Sequence, residues 1–207
     1  MKKNRSHPLL ILISAPSGGG KTTLCNNLLA SRPDMVRAIT CTTRAPRKGE
    51  MNGVDYYFFS AAEFQWRQRA GEFIEHATVY DNRYGILKSE LLEKLRSGRD
   101  VLLNVDVQGA ATIRGRVKAE PELKRALVTV FLAPPFIAEL EARLKNRAAD
   151  SAAVIRKRLA VARREIAQWK TFDYLLTSAT KPEDLRRMLA IVEAEKMRVA
   201  RTEAPEF

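Results

Sequence analysis

The stretch Leu9-Leu10-Ile11-Leu12-Ile13-Ser14-Ala15-Pro16-Ser17-Gly18-Gly19-Gly20-Lys21-Thr22 decides the reading of the whole chain. Its first five residues are an unbroken apolar run, rich in branched side chains and stopped by proline and glycines, as expected of a strand buried on both faces. The residues after Gly20 read as a helix. Glycines at 18, 19 and 20 let consecutive backbone N–H groups turn inward around phosphate oxygens, and the helix N-terminus adds partial positive charge. Lys21 is placed to reach β and γ phosphates, and the Thr22 hydroxyl to ligate Mg²⁺. Ala15 stands where the phosphate-loop pattern begins with glycine, so the motif rests on its strand–loop–helix context, against which the alternative is an ordinary glycine-rich turn.

Around this motif the composition is that of one globular domain: 207 residues, 45% apolar and 29% charged. A chain of this size buries roughly 70% of the surface its unfolded form exposes and needs no metal or disulfide staple. Cys25 and Cys41 are the only cysteines, which points to two free thiols in a reducing compartment. The net charge of +12 calls for a polyanionic partner, and its placement is uneven. Arg37, Arg44, Arg47 and Lys48 precede the next acid, Glu50, and the segment 141–170 holds nine basic residues against Glu141, Asp150 and Glu165. Lys2, Lys3 and Arg5 before the run at 9–13 imitate a secretory leader, but the run is too short for one. No other segment approaches the roughly 20 apolar residues that cross a bilayer, so the expectation is a cytoplasmic protein with no membrane contact.

Further apolar runs at 101–105 and 127–132, and a weaker one at 174–177, read as strands. Helix spacing links Leu91, Leu92 and Leu95; Leu140 and Leu144; Ile155, Leu159, Ala162, Ile166 and Trp169; and Leu185, Leu189, Val192 and Val199. Strands alternating with helices predict a parallel sheet with helices on both faces and ligands at the carboxyl ends of its strands. Segment 43–86 breaks this rhythm with Gly49, Gly53, Gly71, Gly85, the aromatic run 56–59 and a strand-like piece at 72–80, and reads as a small inserted β-rich lobe. The polar stretch 146–151 between two helices reads as a mobile lid.

The run 101–105 leads into Asp106, which suits a carboxylate delivered to a Mg²⁺ site, or a helix N-cap; period two places Asn104 on the same face. Arg143, Arg147, Arg156 and Arg158 surround the lid. They fit phosphate contacts on closure or a solvated basic face, the commoner outcome on spacing alone. His7 and His76 are the only histidines, and there is no nucleophile–base triad or HExxH. Base-assisted nucleophilic chemistry and zinc hydrolysis therefore lose support, and an acceptor that is already an anion, such as a phosphate monoester, needs no base.

The segment Thr40-Cys41-Thr42-Thr43-Arg44-Ala45-Pro46-Arg47-Lys48-Gly49-Glu50-Met51-Asn52-Gly53-Val54-Asp55-Tyr56 closely resembles the nucleotide-binding signature of guanylate kinases. Phe73-Ile74-Glu75-His76-Ala77, Tyr84-Gly85, Asp106-Val107-Gln108-Gly109 and the lid arginines are similar to that family in the same order. The resemblance implies an α/β fold: a P-loop NTPase core with a parallel sheet flanked by helices, an inserted β-rich GMP-binding lobe and a helical lid. It implies one domain over 1–207, with core about 7–39, 88–142 and 171–207, lobe about 40–87 and lid about 143–170. The implied reaction is ATP + GMP ⇌ ADP + GDP with Mg²⁺.

The resemblance also implies roles. Ala15, Pro16, Ser17, Gly18, Gly19, Gly20, Lys21, Thr22 and Thr23, with Ser178, would form the ATP site; Thr22 and Asp106 would hold the metal. Arg44 and Arg47 with the hydroxyls of Tyr56 and Tyr84 would clamp the GMP phosphate. Glu75 would accept from guanine N1–H and N2–H, and Thr40 would donate to O6. Asn104 and Asp106 complete the GMP side, and Lys21, Arg44, Arg143, Arg147 and Arg158 would stabilise transfer. Three positions depart from the family: Asn104 stands where a second Asp is common, Ile86 where Thr or Ser is usual, and Ser178 where Asn lies near adenine. The intact loop and lid arginines argue against a catalytically silent binding module. Glu75 with Thr40 favours guanine over another small phosphate ester, and the aromatic run reads as lobe core with Tyr56 on phosphate, not as a nucleic-acid stacking surface. Oligomeric state has no signature in the sequence.

Overall fold

A computed structural model describes residues 6–145 and 152–202, without the side chains of 143, 144, 152 and 153. The elements in chain order are β1 (Leu10–Ser14), α1 (Lys21–Ser31), β2 (Met35–Arg37), β3 (Thr40–Thr42), β4 (Tyr56–Phe58), α2 (Ala61–Arg69), β5 (Phe73–Val79), β6 (Asn82–Leu87), α3 (Lys88–Arg96), β7 (Asp100–Asn104), α4 (Val107–Arg116), α5 (Pro121–Ala126), β8 (Leu127–Ala133), α6 (Ile137–Lys145), α7 (Ala152–Ile166), β9 (Tyr174–Thr177) and α8 (Lys181–Lys196).

Five strands form a wholly parallel sheet in the order β2-β7-β1-β8-β9. All five residues of β1, the middle strand, are buried. Alternate side chains go to opposite faces: Leu9, Ile11 and Ile13 pack with Leu24, Cys25 and Leu28 of α1 and Met188 and Val192 of α8. Leu10 and Leu12 pack on the other face with Leu91 of α3, Ala110 and Ile113 of α4 and Leu123 of α5. Helices on both faces are why the run is apolar without alternation.

Residues of the inserted segment build a second sheet, β4-β3-β6-β5, with β3 and β4 parallel and the other pairs antiparallel. One element there was not anticipated: α2, whose N-cap Ser60 accepts from Glu63 N through its side chain, the first half of a capping box. Its Phe64 stacks on Phe73 with centroids 4.4 Å apart, and Cys41, Leu87, Tyr57 and Phe59 complete this small core.

Two of the remaining helical spacings need correction, and the side chain of Leu144 lies outside the described residues. α6 and α7 pack through Leu140, Leu159, Ala162 and Ile166, but α7 stops at Ile166 and Trp169 opens a separate 3-10 turn. Likewise α8 ends at Lys196, and Val199, in another 3-10 turn, is 91% exposed, so its spacing was coincidental. The short strand β2 and the one-and-a-half-turn α5 lacked a long enough pattern to register. The expected lid stretch 146–151 lies outside the described residues. Among the described residues no helix is long and apolar enough to cross a membrane.

At the amino end of the sheet, Asp100 is almost fully buried. It accepts from Leu9 N at 2.9 Å and faces Lys196 Nζ at 2.7 Å and Arg32 Nη2 at 3.7 Å, so one carboxylate joins β1, β7, α8 and the residue after α1. Asp100→Ala should therefore cost about 2–3 kcal/mol, because it orphans a buried N–H while the two cations regain some water. Urea unfolding checks this, with a lower midpoint and an unchanged m-value expected.

Candidate active site

The loop between β1 and α1 turns on Gly18 and Gly20, whose φ angles of 84° and 88° are left-handed and strained for any residue with a Cβ. Gly20 is the N-cap of α1, so the first N–H groups of that helix face a cavity of about 370 Å³ lined by residues 15–23, Asp106 and Glu165. Lys21 Nζ donates to Val105 O at 2.9 Å, just past β7. Burial lowers its pKa, and the carboxylates of Asp106 and Glu165 work against that loss. A desolvated ammonium among N–H donors is a site short of anionic oxygens.

The anion found there belongs to the protein. Glu165, on α7, accepts from Ser17 N at 3.3 Å, and burial raises its pKa, with Asp106 adding to the rise. Asp106 is both an N-cap and a cavity residue: Oδ1 accepts from Gly109 N at 2.7 Å, so Oδ2 is the oxygen available to the cavity. Of the two readings of this residue from sequence, the helix N-cap is the one observed. An adjoining cavity of about 550 Å³ is lined by Gly18, Gly20, Thr23, Asn27, Ser178 and Asp184, among others. Ser178 Oγ donates to Asp184 Oδ2 at 2.9 Å, which commits its proton inside the fold.

Just past β3 of the second sheet, Arg44 is the hub. Its Nη2 reaches both oxygens of Glu50 at 2.9 and 3.0 Å, and its Nη1 donates to Ala45 O at 2.7 Å. Glu50 also accepts from Arg47 N at 2.7 Å, and Arg44, followed by that N–H, holds the Glu50 carboxyl below its usual range. Tyr56 lies under the Arg44 guanidinium at 5.4 Å, and the Tyr84 ring is 6.4 Å from Tyr56. Arg44, Tyr56 and Tyr84 are thus together, whereas the Arg47 side chain is exposed.

Glu75 extends from β5 toward α4: its carboxyl carbon is 3.6 Å from where a side chain on Gly109 would begin. Burial, then the Asp106 charge, raises its pKa to about 7, and Arg116 pulls the other way. Asn104 ends β7, half-buried and in register with Ile13. Thr40 opens β3 opposite Tyr56. Ile86 is buried in the main core, so the missing hydroxyl there is replaced by packing. Of the arginines around the lid, Arg156 and Arg158 are exposed on α7; Arg143 lies in α6 with its side chain undescribed, and Arg147 falls outside the described residues. Glu50 and Glu165 were missed as site residues. Their signal was present in the charge pattern, as single acids set in or after runs of basic residues.

A larger depression of about 850 Å³ lies at the amino ends of the strands, lined by Arg32, Asp34, Arg96, Glu122 and Lys196, among others. These charges are tied to one another. Ligands of open α/β sheets sit at the carboxyl ends, where the two cavities beside the phosphate loop are.

A phosphate loop on the middle strand of a parallel sheet, its cavity lined by Asp106 at the start of α4 and Glu165 of α7, places the chain among the P-loop phosphotransferases. Residues 7–195 match the guanylate kinase family, and the chain belongs to it. It is 40% identical to the guanylate kinase of Paramagnetospirillum magneticum, over 92% of this chain and 86% of that protein. It is 41% identical to that of Coxiella burnetii, over 91% and 88%. The crystal structure of guanylate kinase from Anaplasma phagocytophilum superposes with a TM-score of 0.69 at 32% identity, covering 96% of this chain and 92% of that one.

The raised pKa of Glu75 has a stability consequence. Between about pH 4.5 and 7 the folded protein holds a proton that the unfolded chain has released, so stability falls as pH rises through that window. Glu75→Gln should then raise the thermal midpoint at pH 8 by a few degrees, on the order of 1–2 kcal/mol, and leave it unchanged near pH 4. Differential scanning calorimetry at the two pH values checks this.

Proposed function

We propose that the protein transfers the γ-phosphoryl group of Mg·ATP to GMP, giving ADP and GDP, as a cytoplasmic enzyme of purine nucleotide metabolism. The observation that carries this reading is that the Glu75 carboxyl, from the inserted sheet, and Asp106, which lines the phosphate-loop cavity, both flank Gly109, 3.6 and 3.4 Å from where its side chain would begin. A base-reading group and a phosphate-binding loop are thus joined in one site.

The chemistry follows from the donors present. The N–H groups of residues 17, 18 and 20–22 and the Lys21 ammonium receive the ATP phosphates, while Gly19 N stays on Pro16 O; Ser17 N leaves the Glu165 carboxylate and Lys21 Nζ the Val105 carbonyl. Thr23 and Ser178 flank the cavity for the adenosine. On the acceptor side, Arg44 with Tyr56, Tyr84 and Arg47 takes the GMP phosphate, which enters the position that Glu50 occupies. Ionised Glu75 accepts N1–H and N2–H of guanine together, and Thr40 donates to O6; adenine has an acceptor at N1 and leaves Glu75 unpaired. Asn104 beside Asp106 completes this wall.

The residues fit a magnesium ion. The Thr22 hydroxyl and Asp106 Oδ2 are hard oxygen donors on one cavity. An ion held largely by phosphates and water needs few ligands from the protein. When bound, the ion neutralises charge on the β- and γ-phosphate oxygens. The acceptor phosphate is already an anion, so no protein base is required. Arg143, Arg147 and Arg158 bring guanidinium groups to the transferring phosphoryl group as α6 and α7 close, a purely electrostatic and positional contribution.

Glu75→Gln tests the reading, since the amide keeps one acceptor but loses the charge and the second. We expect kcat/KM for GMP to fall about 100-fold or more, with KM for ATP within about 3-fold. Equal losses on both substrates would contradict it.

A further inference from the structure

The strand that carries Glu75 is irregular just there. Phe73 pairs with Leu87, but the next pair is Glu75 with Ile86, so Ile74 is an extra residue on β5. Regular alternation would send Glu75 to the same side as Phe73, into the small core with Phe64 and Cys41. The bulge prevents this: Ile74 packs in the main core with Ala110 and Ile113 of α4, and Glu75 also points to α4, beside Gly109. The aim of Glu75 therefore depends on an irregularity that strand pairing alone does not fix.

One side chain fastens that irregularity. Arg116, in the last turn of α4, donates from Nη1 to Phe73 O at 3.0 Å, the carbonyl where the bulge begins. Its Nη2 lies 3.5 Å from His76 Nε2, on the other side of Glu75 in the chain. Burial, followed by Arg116 and Arg83, lowers the His76 pKa, which suits a neutral ring accepting from a guanidinium. The opposite end of the same helix is capped by Asp106. One helix thus carries the phosphate-loop carboxylate at its start and grips both flanks of Glu75 from its end.

We infer that Arg116 is a positioning residue for acceptor recognition, holding the β5 bulge so that the Glu75 carboxylate faces the purine base. This rests on Glu75 as the guanine reader. Arg116 itself touches no substrate in this account, and a rigid planar fork suits a grip on two points better than an ammonium does.

The test is a double-mutant cycle with KM and kcat for GMP and ATP in the wild type, Arg116→Met, Arg116→Lys, Glu75→Gln and the Glu75→Gln/Arg116→Met pair. Arg116→Met is expected to raise KM for GMP about 10-fold or more, with kcat and KM for ATP within about 3-fold. Arg116→Lys, which can still donate to Phe73 O but not hold both points, should recover part of the loss. In the Glu75→Gln background Arg116→Met should cost less than about 3-fold, since no carboxylate remains to be aimed. The same cost in both backgrounds, or equal rises in KM for both substrates, would overturn the proposal and leave Arg116 an ordinary structural tie. If Arg116→Met does not fold, Arg116→Gln takes its place in the cycle with the same criteria. A Glu75→Gln variant that binds GMP normally would remove the reading of Glu75, and the proposal with it, and that result is visible before any Arg116 variant is made.

Discussion

The free N–H groups at the start of α1 and the Lys21 ammonium make one demand on the rest of the molecule: desolvated positive charge needs an anion or a carbonyl close by. A strand buried on both faces must deliver them, or the loop would collapse into solvent, and β1 occupies the middle of the sheet for that purpose. β7, the neighbouring strand, supplies the Val105 carbonyl to Lys21 and then Asp106 to the cavity. Anions of the protein meet these groups locally, Glu165 at Ser17 N beside the loop and Glu50 at Arg44 in the segment between β3 and β4. On the proposed function each carboxylate stands where a substrate phosphate would bind, so part of the net charge of +12 is already met by anions of the protein itself.

The same logic explains why the proposed acceptor site is costly. Glu75 is half-buried and near a second carboxylate, Asp106, an arrangement that disfavours its charge until a ligand with two N–H donors arrives. A site that holds an unpaired carboxylate rejects a base lacking those donors more firmly than it welcomes the right one. Selectivity and instability have one source here.

What was legible in the sequence follows from how local each signal is. The run 9–13 and the glycines after it announce β1, the loop and α1 because burial on both faces and left-handed φ leave few residue choices. The long signature at 40–56 carries its resemblance through Arg44, Tyr56 and Glu50 in one contiguous stretch. Three-residue β2 and six-residue α5 are too short for a periodicity, and Val199 shows how a single apolar residue at the right spacing misleads. Helix α2 was hidden by an aromatic and glycine content that suggested strands alone, though Ser60 and Glu63 marked its start. The partners Glu165–Ser17 and Arg116–Phe73 join residues 148 and 43 positions apart, and no pattern along the chain encodes such contacts. The bulge at Ile74 belongs to the same class, since it exists only in the register of β5 against β6.

The central claim is phosphoryl transfer from ATP to GMP at the phosphate loop. It is tested most directly by ADP release from Mg·ATP with GMP, AMP, CMP, UMP or no acceptor in parallel, using Lys21→Ala as the blank. The account predicts turnover that depends on GMP and is lost in the blank. No turnover with any acceptor, from folded protein that still binds GMP, would contradict it and indicate a binding module that keeps the fold without the reaction.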